Sequence, residues 1–225
     1  MLRIKAISPL RLADDEVARR EDRYRRLAGD GIEIDLVNLP PGAPERLDSD
    51  ADIRASEALV HDEARRTDPG RHDLVLPDCV LDPIVGLVDD VPVPVLGILQ
   101  LATGHLAALG QPFAAVTRNA AIGAELAKRV ADHGHGDRLQ SVARLDADFC
   151  LISDQDGWAD AMRPLAQRLG DEGVRVLVNG CSAVDIPDNR LGLVTVVDPT
   201  RVAMRMLAVA AAEGLVGARA AVAGA

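Results

Sequence analysis

Cys79 and Cys181 are the residues whose placement in this sequence points to chemistry. Cys79 closes the run His72-Asp-Leu-Val-Leu-Pro-Asp-Cys, in which residues 74–76 read as a short buried strand. About a hundred residues later Val174-Arg-Val-Leu-Val-Asn-Gly-Cys181 repeats the pattern. The match extends further. From Cys79 it is 12 residues to a second apolar run at 91–97, and from Cys181 it is 13 to another at 194–198. A loop absorbs the one-residue difference. Each half therefore carries one thiol at the carboxyl end of a strand, where ligands collect in open α/β sheets.

Residues suited to starting a helix follow each cysteine, and helix N-terminal amides favour a thiolate. Two such thiols from facing halves reach both sides of one carbon. Two acid/base groups so placed could take a proton from one face and deliver a different one to the other, which inverts configuration without turning the intermediate over. The enolate oxygen formed on the way needs donors already in place, and the amides after Cys79 and Cys181 are the candidates. A lone cysteine at either place reads as readily as a small buried hydrophobe; the matched pair favours chemistry. Asp78 would raise the Cys79 pKa if it pointed inward, so it is expected to turn away or accept amides. Asp82 and Asp185 suit helix-capping or first-turn positions. Cys150 has no counterpart in the repeat and reads as core within a possible strand at 149–153.

The elements that must hold these residues follow from apolar periodicity. Strands are expected at 2–7, 32–39, 74–76, 93–96, 113–117, 139–145, 174–180 and 193–197. Helices are expected at 14–27, from 49 or 50 to about 66, 98–109, 119–132, 156–169 and 199–213, with a short one after Cys79. Pro164 sits awkwardly inside the helix at 156–169. Strands alternating with helices imply parallel sheets with right-handed crossovers. The expected fold class is α/β: two pseudo-symmetric domains, each a short, mostly parallel sheet flanked by helices, with the active site in the interdomain cleft. The domains are expected at 1–98 and 99–198, with a C-terminal helix over 199–225 packing back on the first.

Composition narrows the partners. Aromatic residues make up only 2% of the chain against 48% apolar residues, so the cores must be Val, Leu, Ile and Ala, as in sheets buried on both faces. A net charge of −10 argues against nucleic acid. No apolar run is long enough for a bilayer, and residues 1–7 read as a strand rather than a secretion signal. Three cysteines, an odd number, fit free thiols in a reducing cytoplasm. The two lysines, Lys5 and Lys128, lie at no strand end, which disfavours pyridoxal chemistry. The five histidines form no metal-binding pattern. No cofactor and no metal are expected. The partner is expected to be a small molecule, anionic or amide-containing, and the protein a homo-oligomer.

Asp78-Cys79-Val-Leu-Asp82-Pro83, Pro94-Val-Leu-Gly97-Ile98, Phe113-Ala-Ala-Val-Thr117, Asn179-Gly180-Cys181-Ser182-Ala183 and Asp198-Pro199 together resemble the aspartate/glutamate/hydantoin racemase superfamily, its hydantoin racemase branch most. The likeness covers most of the chain. It implies a cofactor-independent racemase or epimerase in which Cys79 and Cys181 exchange protons with a carbon next to a carbonyl or carboxylate. The substrate it implies is a small amino acid or hydantoin-like compound. It also implies substrate-holding roles for Thr117 and for the backbone around Val80, Leu81, Gly180 and Ser182. Arg118 and Asn119 follow Thr117; Arg118 either grips a substrate carboxylate or points to water. The sequence departs from hydantoin racemases after the first strand, where Ser8-Pro9-Leu10 stands in place of Asn-Pro-Asn. The proline is kept and both amides are gone, with Ser8 standing at the first position as a candidate substrate-binding residue. The alternatives are a cysteine-dependent cis–trans isomerase or lyase on the same fold, and a two-lobed binding protein without turnover.

Overall fold

A computed structural model describes residues 1–216 of the chain. In order, the elements are β1 (Leu2–Ile7), α1 (Asp14–Ala28), β2 (Ile32–Val37), α2 (Asp50–Arg65), β3 (Leu74–Pro77), α3 (Ile98–Ala108), β4 (Phe113–Thr117), α4 (Ala120–Asp132), β5 (Leu139–Arg144), α5 (Gln155–Asp171), β6 (Val176–Asn179), β7 (Arg190–Leu191), β8 (Val194–Val197) and α6 (Pro199–Ala212). They build two sheets, a three-stranded one in the order β2-β1-β3 and a five-stranded one in the order β5-β4-β6-β8-β7. Every pairing is parallel except that of β7 with β8. The α/β class with helix-flanked, mainly parallel sheets is as the sequence reads.

Side chains alternate along each strand, and the inner strands bury them on both faces. Leu2, Ile4, Ala6, Leu74 and Leu76 of the first sheet share one core with Phe113, Ala115, Val176 and Val178 of the second. Their alternates turn the other way. Ile7 and Val75 meet Val60 and Ala64 of α2, and Ala114, Val116 and Leu177 meet Trp158, Met162 and Leu169 of α5. Helix α6 lies against α3 and α1 and puts Ala203, Met204 and Leu207 into the shared core. Residues 217–225, the end of the expected C-terminal helix, lie outside the described residues. Among the described residues no helix is long and apolar enough to cross a membrane.

Three expected elements differ. The strand at 93–96 is a single bridge from Val95 to Val75. Pro92 and Pro94 have no N–H to extend a ladder, whereas β8 carries no proline and pairs along its length with β6. Residues 149–153 form a 3-10 turn rather than a strand, and Cys150 is exposed rather than core. The third difference is the absence of the helix after Cys79. Asp82 has φ 45° and precedes Pro83, and a residue before proline is kept from the helical region. Helix α5 does run through Pro164.

Candidate active site

Strands β1, β3, β4 and β6 end at one place. Their carboxyl ends deliver Pro9 and Leu10, residues 78–81, Arg118 and residues 180–183 to the lining of one cavity of about 60 Å³. Arg20 of α1 completes one side, and Leu47, Ile122, Phe149 and Ile152 the others. At roughly 15 Å³ for each water, the space holds about four waters and so suits a compact ligand. Arg20, Phe149 and Ile152 also line a wider, open depression beside it.

Cys79 and Cys181 both face this cavity, held by turns rather than helix starts. The Asp82 amide donates to the Cys79 carbonyl at 3.1 Å and closes the first turn. Within it the Leu81 amide points at Cys79 Sγ at 3.4 Å. The Ala183 amide approaches Cys181 in the same relation, two residues on. These amides replace the helix N-termini expected from the sequence, and they do not outweigh desolvation. Burial, with Asp78, Asp82 and Cys181 adding, pushes the Cys79 thiol up to about 12 against the Leu81 amide. Burial raises Cys181 too, opposed by the Ala183 amide and by the positive charges of Arg20 and Arg23. At neutral pH both therefore rest as thiols, and Cys181 has the more cationic surroundings.

Helix α1 secures both cysteine loops. Arg20 donates to Asp78 at 2.8 Å and to Glu16 at 2.8 Å. Tyr24 donates to the other Asp78 oxygen at 2.7 Å. Both Asp78 oxygens are thus occupied by α1. One turn along, Arg23 donates to the Ser182 carbonyl, to Val184 at 3.0 Å, to Asp185 at 2.7 Å and to Asp198 at 2.9 Å. Asp198 in turn caps α6. Asp82 accepts from the Leu99 and Gln100 amides at 3.0 and 2.6 Å and so caps α3, with His133 3.0 Å away.

Of the residues singled out in the sequence, Cys79, Val80, Leu81, Arg118, Gly180, Cys181 and Ser182 line the cavity. Ser8, Thr117 and Asn119 are not among its lining residues. The Ser8 hydroxyl donates to the Leu10 carbonyl at 2.8 Å and accepts the Leu10 amide, which shapes the turn behind Pro9. Thr117 donates to the Asn119 carbonyl at 3.1 Å. Asn119 caps α4 and donates to the Leu47 carbonyl at 2.9 Å. Arg118 does not point to water: it is 5% exposed and its Nη2 is held by Leu47 and Asp48. Sequence reading missed Arg20, Leu47, Phe149 and Ile152. Only Arg20 left a trace, sharing a helical face with Arg23 and Tyr24. Among the described residues no group of three or more His, Cys, Asp or Glu is placed to hold a metal ion.

Residues 17–207 match the model of a family described as Asp/Glu/Hydantoin racemase. None of the curated proteins matches the sequence significantly. Among solved structures, the chain is similar to allantoin racemase from Klebsiella pneumoniae, with TM-score 0.79 and 22% identity over 98% of this chain and 92% of that one. It is similar to allantoin racemase from Pseudomonas fluorescens, with TM-score 0.76 and 19% identity over 98% and 95%. Aspartate racemase from Picrophilus torridus aligns with TM-score 0.63 and 12% identity over 92% and 94%. At these identities the likeness to each is one of fold.

Proposed function

The chain belongs to the Asp/Glu/hydantoin racemase family, and on that premise we propose that it is a cofactor-independent racemase or epimerase. It inverts a carbon α to a carbonyl or carboxylate in a small amino-acid or hydantoin-like substrate. The observation that carries this reading is the meeting of Cys79 and Cys181 in the lining of one small cavity, each from the end of a parallel strand in a different sheet.

The proposed step begins when one sulfur, as thiolate, takes the proton from the α carbon. The C–H electron pair moves into the bond to the carbonyl carbon, and the carbonyl electrons move onto oxygen. The second sulfur, as thiol, gives its proton to the opposite face, and the enolate reverts to the carbonyl. The first sulfur is then the thiol and the second the thiolate, so the enzyme is ready for the reverse direction. The charges of Arg20 and Arg23 oppose the rise at Cys181, whereas Asp78 and Asp82 add to it at Cys79. The amides of Val80 and Ser182, in the turns after the cysteines, would serve as donors to the enolate oxygen, where they need no rearrangement as charge develops.

The test is deuterium incorporation at the α carbon in deuterated buffer, with 5-substituted hydantoins and free amino acids as substrates. Cys79→Ser and Cys181→Ser are each expected to lower inversion by about 10²–10⁴-fold, the usual contribution of one acid–base group. Parental inversion in either variant would sink the two-cysteine mechanism.

A further inference from the structure

Helix α1 holds the Cys79 loop ahead of the sulfur, at Asp78. Behind the sulfur the loop is held from α4, which packs on β4 and β5. The backbone held there is out of the ordinary, with φ 45° at Asp82 and 65° at Ile84. Residues with a side chain rarely take such values, a β-branched one least of all, so surrounding bonds must impose them. Asp82 is fully buried. Its carboxylate accepts from the Leu99 amide at 3.0 Å, the Gln100 amide at 2.6 Å and His133 Nε2 at 3.0 Å. Gly97 leaves room for it, because a Cβ there would overlap the carboxylate. Two residues on, the Ile84 amide donates to Glu57 at 3.2 Å, and Arg129 of α4 donates to the same Glu57 oxygen at 2.7 Å.

His133 is the C-cap residue of α4, and its side chain is buried. Among the described residues it is the one side-chain donor to Asp82. Burial pushes the Asp82 carboxyl up, and His133 is the foremost group opposing that, ahead of the Leu99 and Gln100 amides. The backbone of Asp82 is bonded to the cysteine. Its amide donates to the Cys79 carbonyl at 3.1 Å, and inside that turn the Leu81 amide points at Cys79 Sγ at 3.4 Å. A backbone held at an unfavoured φ persists where its surroundings over-determine it, so release of the carboxylate releases the turn.

We infer that His133 is a positioning residue for Cys79: its bond to the Asp82 carboxylate holds the turn that carries the sulfur. His133 is not among the residues lining the cavity, so it acts through Asp82 rather than on a ligand. The use that catalysis makes of this position rests on the racemase reading; the positioning itself does not.

The test is iodoacetamide labelling of the full chain, with the rates at Cys79 and Cys181 read separately by mass spectrometry. A buried thiol is labelled through local opening, so its rate counts how often its own turn opens. His133→Leu fills the space and removes the donor. It is expected to raise the Cys79 rate by about tenfold, the lower end of what a hydrogen bond to a charged group is worth, and to leave the Cys181 rate at its parental value. His133→Gln, whose amide nitrogen can stand where Nε2 stands, should return Cys79 to the parental rate. If His133→Leu does not fold, Asp82→Asn weakens the same bond from its other side and carries the same expectation. A parental Cys79 rate in the variant overturns the inference. Equal acceleration at Cys79 and Cys181 overturns it too, because that is general loosening, as does full acceleration in His133→Gln. If Cys79 alone accelerates as stated in a protein whose parental form exchanges no α hydrogen, the positioning role stands and the racemase reading falls.

Discussion

Ser182 donates its hydroxyl to the carbonyl of Asp78 at 3.1 Å, so the residue after one cysteine is tied to the residue before the other. The two reactive loops are thereby joined directly, as well as through α1. The distance between the sulfurs then depends on the backbone of both loops, and changes there should be felt in catalysis.

Gly180 is the sharpest such point. Its amide donates to the Val116 carbonyl at 2.7 Å. A Cβ there would lie 2.4 Å from that oxygen and 2.8 Å from Thr117 Cγ2. Gly180→Ala must push β6 from β4 immediately ahead of Cys181. We expect a loss of about 1–3 kcal/mol in urea unfolding, as for overpacking, and a fall of about 10²-fold in α-hydrogen exchange from the displaced sulfur. Parental exchange in this variant would show that the placement of Cys181 is not critical.

Arg23 carries a different load. Its guanidinium is shared among Ser182, Val184, Asp185 and Asp198, and Asp198 is 4% exposed. Arg23→Ala leaves that carboxylate buried without its partner, which typically costs about 3–5 kcal/mol. Arg23→Lys should recover only part of this, because three donors on one nitrogen cannot span acceptors that Arg23 meets with Nε, Nη1 and Nη2. Chemical denaturation of both variants measures it, and equal stability of the lysine and parental proteins would refute the shared-fork account.

Ionisation of the thiols sets the pH dependence. With both raised above the ordinary cysteine value, the active thiolate form of the free enzyme is a minor species at neutral pH. The exchange kcat/KM should therefore rise about tenfold per unit over roughly pH 6–8, below the usual thiol range. A flat profile there would contradict it.

Stability should run the other way. Cys79 has a folded value of about 12, above that of an unfolded cysteine. Between the two values the unfolded chain has released the proton that the folded one retains. The stabilisation from neutral Cys79 is full below the unfolded value and is lost as pH rises towards the folded one. Tyr24, raised by burial and by Asp78, adds a loss of the same sign. The informative quantity is thus the difference from Cys79→Ser, which should lose stability less steeply over alkaline pH. Parallel curves for the two proteins would mean that Cys79 is not so shifted.

Cys150 separates exposure from function. It is exposed on the 3-10 turn next to Phe149, so iodoacetamide should label it in the native protein before it labels buried, protonated Cys79. Cys150→Ser should leave exchange unchanged. Mass spectrometry of partially labelled protein reads the order, and early labelling of Cys79 would place that sulfur in freer contact with solvent.

Much of this was legible in the sequence because it is local. Residues 113–117 alternate between two cores and form β4 at those bounds. Ser49 and Asp52 make the capping box that starts α2. The repeat placed both cysteines at strand ends. What stayed hidden depends on distant partners. Helix α1 is dense in charge and looks solvated, yet Arg20 and Arg23 are 5% and 2% exposed because Asp78 and Asp198 wait for them across the fold. Ser8, Thr117 and Asn119 occupy strand ends as well, but their side chains are consumed by the turns they shape. Pro92 and Pro94 were visible and do limit the third strand's neighbour, a case where residue chemistry overrode the repeat.

Helix α1 grips the Cys79 loop through Arg20 and Tyr24 and the Cys181 loop through Arg23, while Arg19 reaches the Ala183 carbonyl at 2.9 Å. Prising the thiols apart to admit a substrate would therefore mean tearing a buried ionic seam. Traffic by way of Phe149 and Ile152, which border both the cavity and the open depression outside it, breaks none of those bonds.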